Sequence, residues 1–180
     1  MRDMELFGLV FGLLAQEAPK RGLAGMEFTQ RYQPTQQGIN TGPTIYAFKV
    51  GPARRYGYRG VKQIPDLDAP NGMKRIETQA METTLQFSVV QPIATAMNDL
   101  THSDRLNAVA GVMQSPDFQK LLIVNGASIL RITEVRTPQV INDYSQWEEN
   151  PSFDAVFKHD DVWIDGVQEV KSFEFHLYAL

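Results

Sequence analysis

The sequence predicts a single α+β domain, an antiparallel or mixed β-sheet with helices packed on one face. Three observations carry this. The stretch "ETTLQFSVVQP", residues 82–92, alternates apolar and polar side chains with Leu85, Phe87 and Val89 on one side, the period-two mark of a strand with one buried face. Residues 101–126 hold start and stop signals for two consecutive helices. "SFDAVFKH", 152–159, and "VKSFEFHLYAL", 170–180, alternate as 82–92 does and would pair as an antiparallel hairpin.

The chain has 180 residues, 43% hydrophobic and 21% charged, enough for one core spanning 1–180, since a chain of this size buries roughly 70% of its unfolded surface. It has no cysteine, which removes disulfides, thiolate nucleophiles and Cys-based zinc sites. The formal charge of -4 argues against a protein that grips nucleic acid by neutralising many phosphates. An acidic wall suits a surface past which DNA slides.

"MRDMELFGLVFGLLAQEAPKRG", residues 1–22, predicts a helix over about 3–18, with Asp3 and Glu5 in its first turn and Lys20 and Arg21 beyond Pro19, an arrangement that matches the helix dipole. Arg2 is offset by Asp3 and Glu5, and the apolar run is far shorter than the ~20 residues of a membrane span. Neither a signal peptide nor a membrane anchor is expected. Two overlapping helical templates, Leu6, Leu9, Val10, Leu13 and Phe7, Val10, Phe11, Leu14, make nearly the whole circumference hydrophobic, so the helix must be covered. Its cover is either its own subunit or a neighbour reached through Phe7, Val10, Phe11 and Leu14.

Phe28 and Tyr32 lie in an extended piece, followed by a polar Gln/Gly/Asn loop. Thr44 to Val50 reads as a strand, with Ile45, Ala47 and Lys49 on one face and Tyr46, Phe48 and Val50 on the other. Two apolar faces place it inside the sheet. Residues 51–72 contain four glycines and three prolines and read as a long loop or an irregular hairpin arm. Arg54, Arg55, Arg59 and Lys62 are interleaved there with Tyr56 and Tyr58, a mixture that stacks on bases, clasps an acidic partner, or simply forms a solvated tip. The strand from about Lys74 to Gln91, stopped by Pro92, exceeds the usual ~5 or 6 residues. A strand that long projects beyond its sheet and carries the basic segment, as an arm of about 51–75, toward a neighbour.

Thr101 and Asp104 form a capping box, and Leu106, Val109, Ala110 and Met113 follow on one helical stripe. Ser115 caps a second helix with Pro116 first, Asp117 beside it and Phe118, Leu121 and Leu122 facing inward, closed by Asn125 and Gly126. "SILRITEV", 128–135, is a strand with Leu130 and Ile132 on one face, and "VINDYSQWEENP", 140–151, reads as an acidic loop or single turn.

Little in the chain points to catalysis. His102, His159 and His176 are scattered, with no helical His pairing of the zinc-binding kind. "KHDD", 158–161, is the one local cluster of ligand types, and neighbouring residues in a strand or turn point in different directions. There is no nucleophile elbow, phosphate-binding loop or dinucleotide fingerprint. Glu148 and Glu149 read as a solvated patch. No catalytic residue, cofactor or metal is expected.

Five segments, in order, resemble tail-terminator proteins of tailed phages, the neck-terminator-like family: "QQGINTGPTIYAFKV" (36–50), "RRYGY" (54–58), "ETQAMETTLQFSVV" (77–90), "ILRITEVR" (129–136) and "NPSFDAVFKH" (150–159). The sequence departs from that pattern in its more hydrophobic first helix and over residues 160–172. The resemblance implies a structural virion protein of the tail and neck, assembled in the host cytoplasm. Its copies would form a ring, a homohexamer, that caps the tail tube and joins it to the neck connector. Genomic DNA would pass through the lumen without sequence-specific binding, and contact with a contractile sheath is left open. In that setting Arg54, Arg55, Tyr56, Tyr58 and Arg59 are the first interface candidates and Phe7, Val10, Phe11 and Leu14 the second. The alternatives are a head-completion, stopper, tube-initiating or baseplate ring, or a small ligand-binding or nucleic-acid-binding domain.

Overall fold

The computed structural model describes residues 1–30, 44–65, 73–90, 100–141 and 147–166. The chain opens with α1 (Asp3–Glu17) and a short 3₁₀ turn (Pro19–Arg21), then β1 (Glu27–Gln30), β2 (Thr44–Lys49), β3 (Arg54–Pro65) and β4 (Met73–Val90). Two helices follow, α2 (His102–Met113) and α3 (Pro116–Val124), and then β5 (Ala127–Ile132), β6 (Gln139–Ile141), β7 (Trp147–Glu149) and β8 (Ser152–Gly166).

β4 organises the sheet. Its 18 residues carry β2 and β3 one after the other along one edge, both antiparallel, and β8 antiparallel along the other. β1 adds in parallel to β2, and β5 antiparallel to β8, giving a mixed, open, six-stranded sheet. β6 and β7 form a separate two-stranded ribbon. The fold is α+β, with three α-helices among the described residues.

Register sets the core. Phe87 stands opposite Ala47 and Phe153, Leu85 opposite Ala155, and Val89 opposite Ile45, so all of these share one face. They are buried beneath the helices with Leu6, Val10 and Leu14 of α1, Leu106, Val109 and Met113 of α2, and Phe118 and Leu122 of α3. The even-numbered residues of β4 look the other way and are half-buried, from Ile76 to Gln86. Period-two patterning therefore becomes a sheet with one dry face.

The helix ends are built from their own side chains. The Thr101 hydroxyl accepts from the Asp104 amide at 3.1 Å and the Asp104 carboxylate accepts from the Thr101 amide at 3.2 Å, a reciprocal cap. The Thr101 hydroxyl also donates to the Asp104 carboxylate at 2.6 Å, and that bond, followed by the one from the Thr101 amide, holds the carboxyl below its ordinary pKa. Ser115 caps α3 through the Phe118 amide at 3.4 Å. At the start of α1, Asp3 is ion-paired with Lys49 at 2.6 Å, tying the acidic first turn to the end of β2.

The structure departs from the sequence expectations at several places. Residues 54–65 are a strand with one bulge, not a loop. The feared breakers fall where a strand tolerates them: Gly57 at φ 69 lies in an irregularity and Pro65 is the last residue. In β5 the pairing jumps from Ile129↔Phe157 to Arg131↔Val156, a one-residue bulge that throws Leu130 outward, 51% exposed. Ile129 and Ile132, not Leu130 and Ile132, therefore pack against the core. The acidic segment after Pro138 contains the β6–β7 ribbon, and β8 continues past His159 to Gly166. Residues 152–159 do not form the expected hairpin with 170–180, because β4 pairs them on one side and β5, with a bridge from Arg136 to Ser152, on the other; Tyr32, the polar loop at 33–43 and the strand expected at 170–180 lie outside the described residues.

Candidate interface at the distal end of the sheet

Beyond the helical layer, β3, the first half of β4 and the last third of β8 continue as three strands. Every residue of β3 is exposed except the half-buried Ile64. Arg54, Arg55, Tyr56, Tyr58 and Arg59 all lie on this strand, and Tyr58 is 103% exposed. The strand holds four of the chain's 17 basic side chains and none of its 21 acidic ones. Arg59 is bound to Glu77 at 2.6 Å, and Arg75 meets the same carboxylate at 2.5 Å. The Arg59 bond is the main reason the Glu77 pKa lies below its ordinary value. Arg54, Arg55 and Lys62 have no ion-pair partner among the described residues.

A bulge positions this group. The register moves from Tyr56↔Ala80 to Gly60↔Thr78, so three residues of β3 stand against Gln79 alone. The Gln79 side chain is buried and its amide donates to the carbonyl of Tyr56 at 2.9 Å and of Gly57 at 3.3 Å. It supplies the donor that the broken ladder no longer provides. Gln79→Leu keeps the size and removes the donor, leaving two carbonyls unpaired. A local cost of about 1–3 kcal/mol is expected, read as faster amide exchange in β3 with α2 and α3 unchanged; equal exchange in both chains would show that the amide is not what holds the bulge.

On β8, Val162, Trp163 and Ile164 are all exposed, Trp163 at 58%. Trp163 stands opposite Glu77, as does Val61 of β3, so both lie on the helix side of the sheet, while Ile164, Ile76 and Lys62 share the other side. Asp160 and Asp165 are exposed on the same strand. Asp161 faces the terminal ammonium of Met1 at 4.0 Å, and that ammonium also binds the Asp160 carbonyl.

Phe7, Val10 and Leu14 of α1 are buried within the chain's own core, and Phe11 is half-buried against it with its ring 5.6 Å from that of Phe7. Packing inside the chain accounts for their burial. The face that α1 leaves open carries Met4, Gly8, Gly12 and Ala15.

The residues that sequence reading missed are Gln79, Trp163 with its two neighbours, and the pairing of His159 with Thr83. His159 is 3% exposed, its Nε2 lies 3.0 Å from the Thr83 hydroxyl, and its Nδ1 has no partner among the described residues. Burial holds its pKa below the ordinary histidine value. Next to it in "KHDD", Asp160 is exposed, so the two side chains diverge. Among the described residues no three His, Cys, Asp or Glu side chains gather as a metal site, and no helix is long and apolar enough to cross a membrane. A shallow depression beside His159, lined by Ile123, Ala127 and Lys158, brings no second buried polar group to it.

Tyrosine, tryptophan and arginine laid out along the exposed end of an α+β sheet are the residue types found at protein contacts. The family model described as E217 gateway protein gp29 matches residues 5–165, and the chain belongs to that family. It is a structural protein of the bacteriophage particle. No curated protein matches the chain.

Proposed function

We propose that this chain is a subunit of a ring at the head–tail junction, which caps the tail tube, joins it to the neck connector and lets DNA through its lumen. It acts by fit, with no catalytic step. The observation that carries the reading is the family match across 5–165, and the resemblance of five ordered segments to tail terminators agrees with it. The distal sheet end serves as the arm, through which Arg54, Arg55, Tyr56, Tyr58 and Arg59 contact a neighbouring copy or the tube. Tyrosine and arginine on a stiff strand are the residue types that dominate protein interfaces. The partners are further copies of the chain, six to a ring, the tail-tube protein, the connector and, in a contractile tail, the sheath.

Phage lacking a functional copy of this gene tests the reading. Filled heads and unattached tails are expected, with no infectious particles. Overlong tails point to tube capping as the main task, and detached tails of normal length to a stopper or connector role. Normal yields of joined, infectious particles would refute a place at the junction.

A further inference from the structure

The distal sheet has two edges with no strand partner among the described residues, and their charges are opposite. On β3 the outer edge runs the full length from Arg54 to Pro65, since β4 takes the inner one. On β8, β5 pairs only as far as His159 and the Met1 ammonium takes the Asp160 carbonyl, so Asp161 to Gly166 is the stretch paired on the β4 side alone. The β3 edge carries the cations Arg54, Arg55 and Lys62 without a partner, and the β8 edge carries the exposed carboxylates Asp160 and Asp165. Exposed apolar side chains accompany both, Tyr56, Tyr58 and Val61 on one and Val162, Trp163 and Ile164 on the other. An open strand edge with large apolar side chains is a template for another strand. Here a single chain presents both halves of a match.

We propose that β3 of one copy adds to the Asp161–Gly166 segment of β8 on the next, so that the distal sheets of neighbouring copies join into one continuous sheet. This deepens the ring reading above and rests on it. The contact is heterologous, basic edge to acidic edge, the kind that closes into a ring and not into a two-fold dimer. Because β3 and β8 both run antiparallel to β4, they point the same way. Copies rotated about an axis along the strands therefore meet in a parallel junction. Each copy contributes three strands to the wall, and closure leaves no edge exposed. Like charges face each other in any β3–β3 or β8–β8 pairing, which disfavours the isologous alternatives.

Charge exchange tests the junction. One variant carries Arg54→Glu, Arg55→Glu and Lys62→Glu, and a second carries Asp160→Lys and Asp165→Lys. All five positions are exposed, and circular dichroism and melting temperature of each variant are compared with the natural chain. Each variant is supplied to phage lacking the gene, and copies per particle are counted. Incorporation is expected to fall about tenfold for each variant alone. It should return when the two variants are supplied together, because Glu edges then meet Lys edges in alternate copies, and also when one chain carries both sets of changes. Wild-type incorporation of either variant, no recovery in the mixture of two folded variants, or rescue of the β3 variant by the natural chain alone would overturn the proposal. If both variants enter particles normally while phage without the gene yields no joined particles, the junction between copies lies elsewhere and the head–tail reading stands.

Discussion

Replacing Phe87 by alanine is expected to cost about 3–5 kcal/mol of folding stability, near the upper end for a single core truncation. Phe87 is fully buried, and its ring is stacked on that of Phe153 on the neighbouring strand, centroids 5.1 Å apart at 14°. Ala47 stands on its other side. The site sits where β2, β4 and β8 meet under the helices, so three strands would have to move to close the cavity. Equilibrium denaturation in urea, with the midpoint and slope fitted together, measures the loss. A cost below about 1.5 kcal/mol would mean the layer collapses easily around the gap. The opposite substitution, Phe153→Ala, is expected to have a similar effect, and the double variant less than the sum, because each removes the same stack.

The second large effect is with pH. His159 is buried, and its pKa in the folded chain is below the ordinary value of about 6.5. Burial is the leading cause, with the positive terminal ammonium next; the carboxylates of Asp3 and Asp161 act in the opposite direction and Lys49 adds a further small lowering. The folded chain therefore prefers the neutral ring, while the unfolded chain takes up a proton near pH 6.5. Above that pH neither state is protonated and the contribution is complete. As pH falls below it the unfolded state gains a proton that the fold refuses, so stability declines, levelling off once the folded ring also titrates. The slope attributable to this group is at most about 1.4 kcal/mol per pH unit. Subtracting the pH profile of His159→Gln from that of the natural chain isolates it. Identical profiles between pH 7 and pH 5 would show that the ring is not held neutral.

The protonated ring also has a partner problem. Nδ1 is buried with no acceptor among the described residues, and on the other side the Thr83 hydroxyl can accept or donate. A charged imidazole would need acceptors at both nitrogens, and among the described residues only Thr83 offers one.

Much of the fold was legible. The alternation in 82–90 and 152–157 fixed which residues face the core, and the caps at Thr101 and Ser115 marked helix starts that the structure places at His102 and Pro116. These signals are local, and local physics governs them. What failed was non-local. Residues 54–65 looked irregular because glycine and proline weigh against a strand, yet long pairing with β4 outweighs that composition and the bulge absorbs Gly57. The face of Leu130 was misread because a bulge reverses the alternation after it, and nothing within "SILRITEV" marks where the extra residue goes. Arg54, Arg55, Tyr56, Tyr58 and Arg59 were recognisable from composition as a surface of interest, and the structure does bring them onto one exposed strand. Their counterpart on β8 was invisible, since Val162, Trp163 and Ile164 read as one short apolar run whose exposure only the sheet reveals. Gln79 could have been suspected, as a polar residue on the parity of Leu85 and Phe87 needs a partner.

At about 3.3 Å per residue, the 18 residues of β4 reach about 60 Å, and β8 is paired to it at 15 successive positions. Such a ribbon has no joint between its sheltered and its projecting portions, so the tip is held in place by the same beam that anchors the core. Little freedom is left to lose when a partner seats on it, and a push at one extremity is delivered to the other as rotation of the whole body. In the junction role proposed above, that rigidity would turn local contact into alignment.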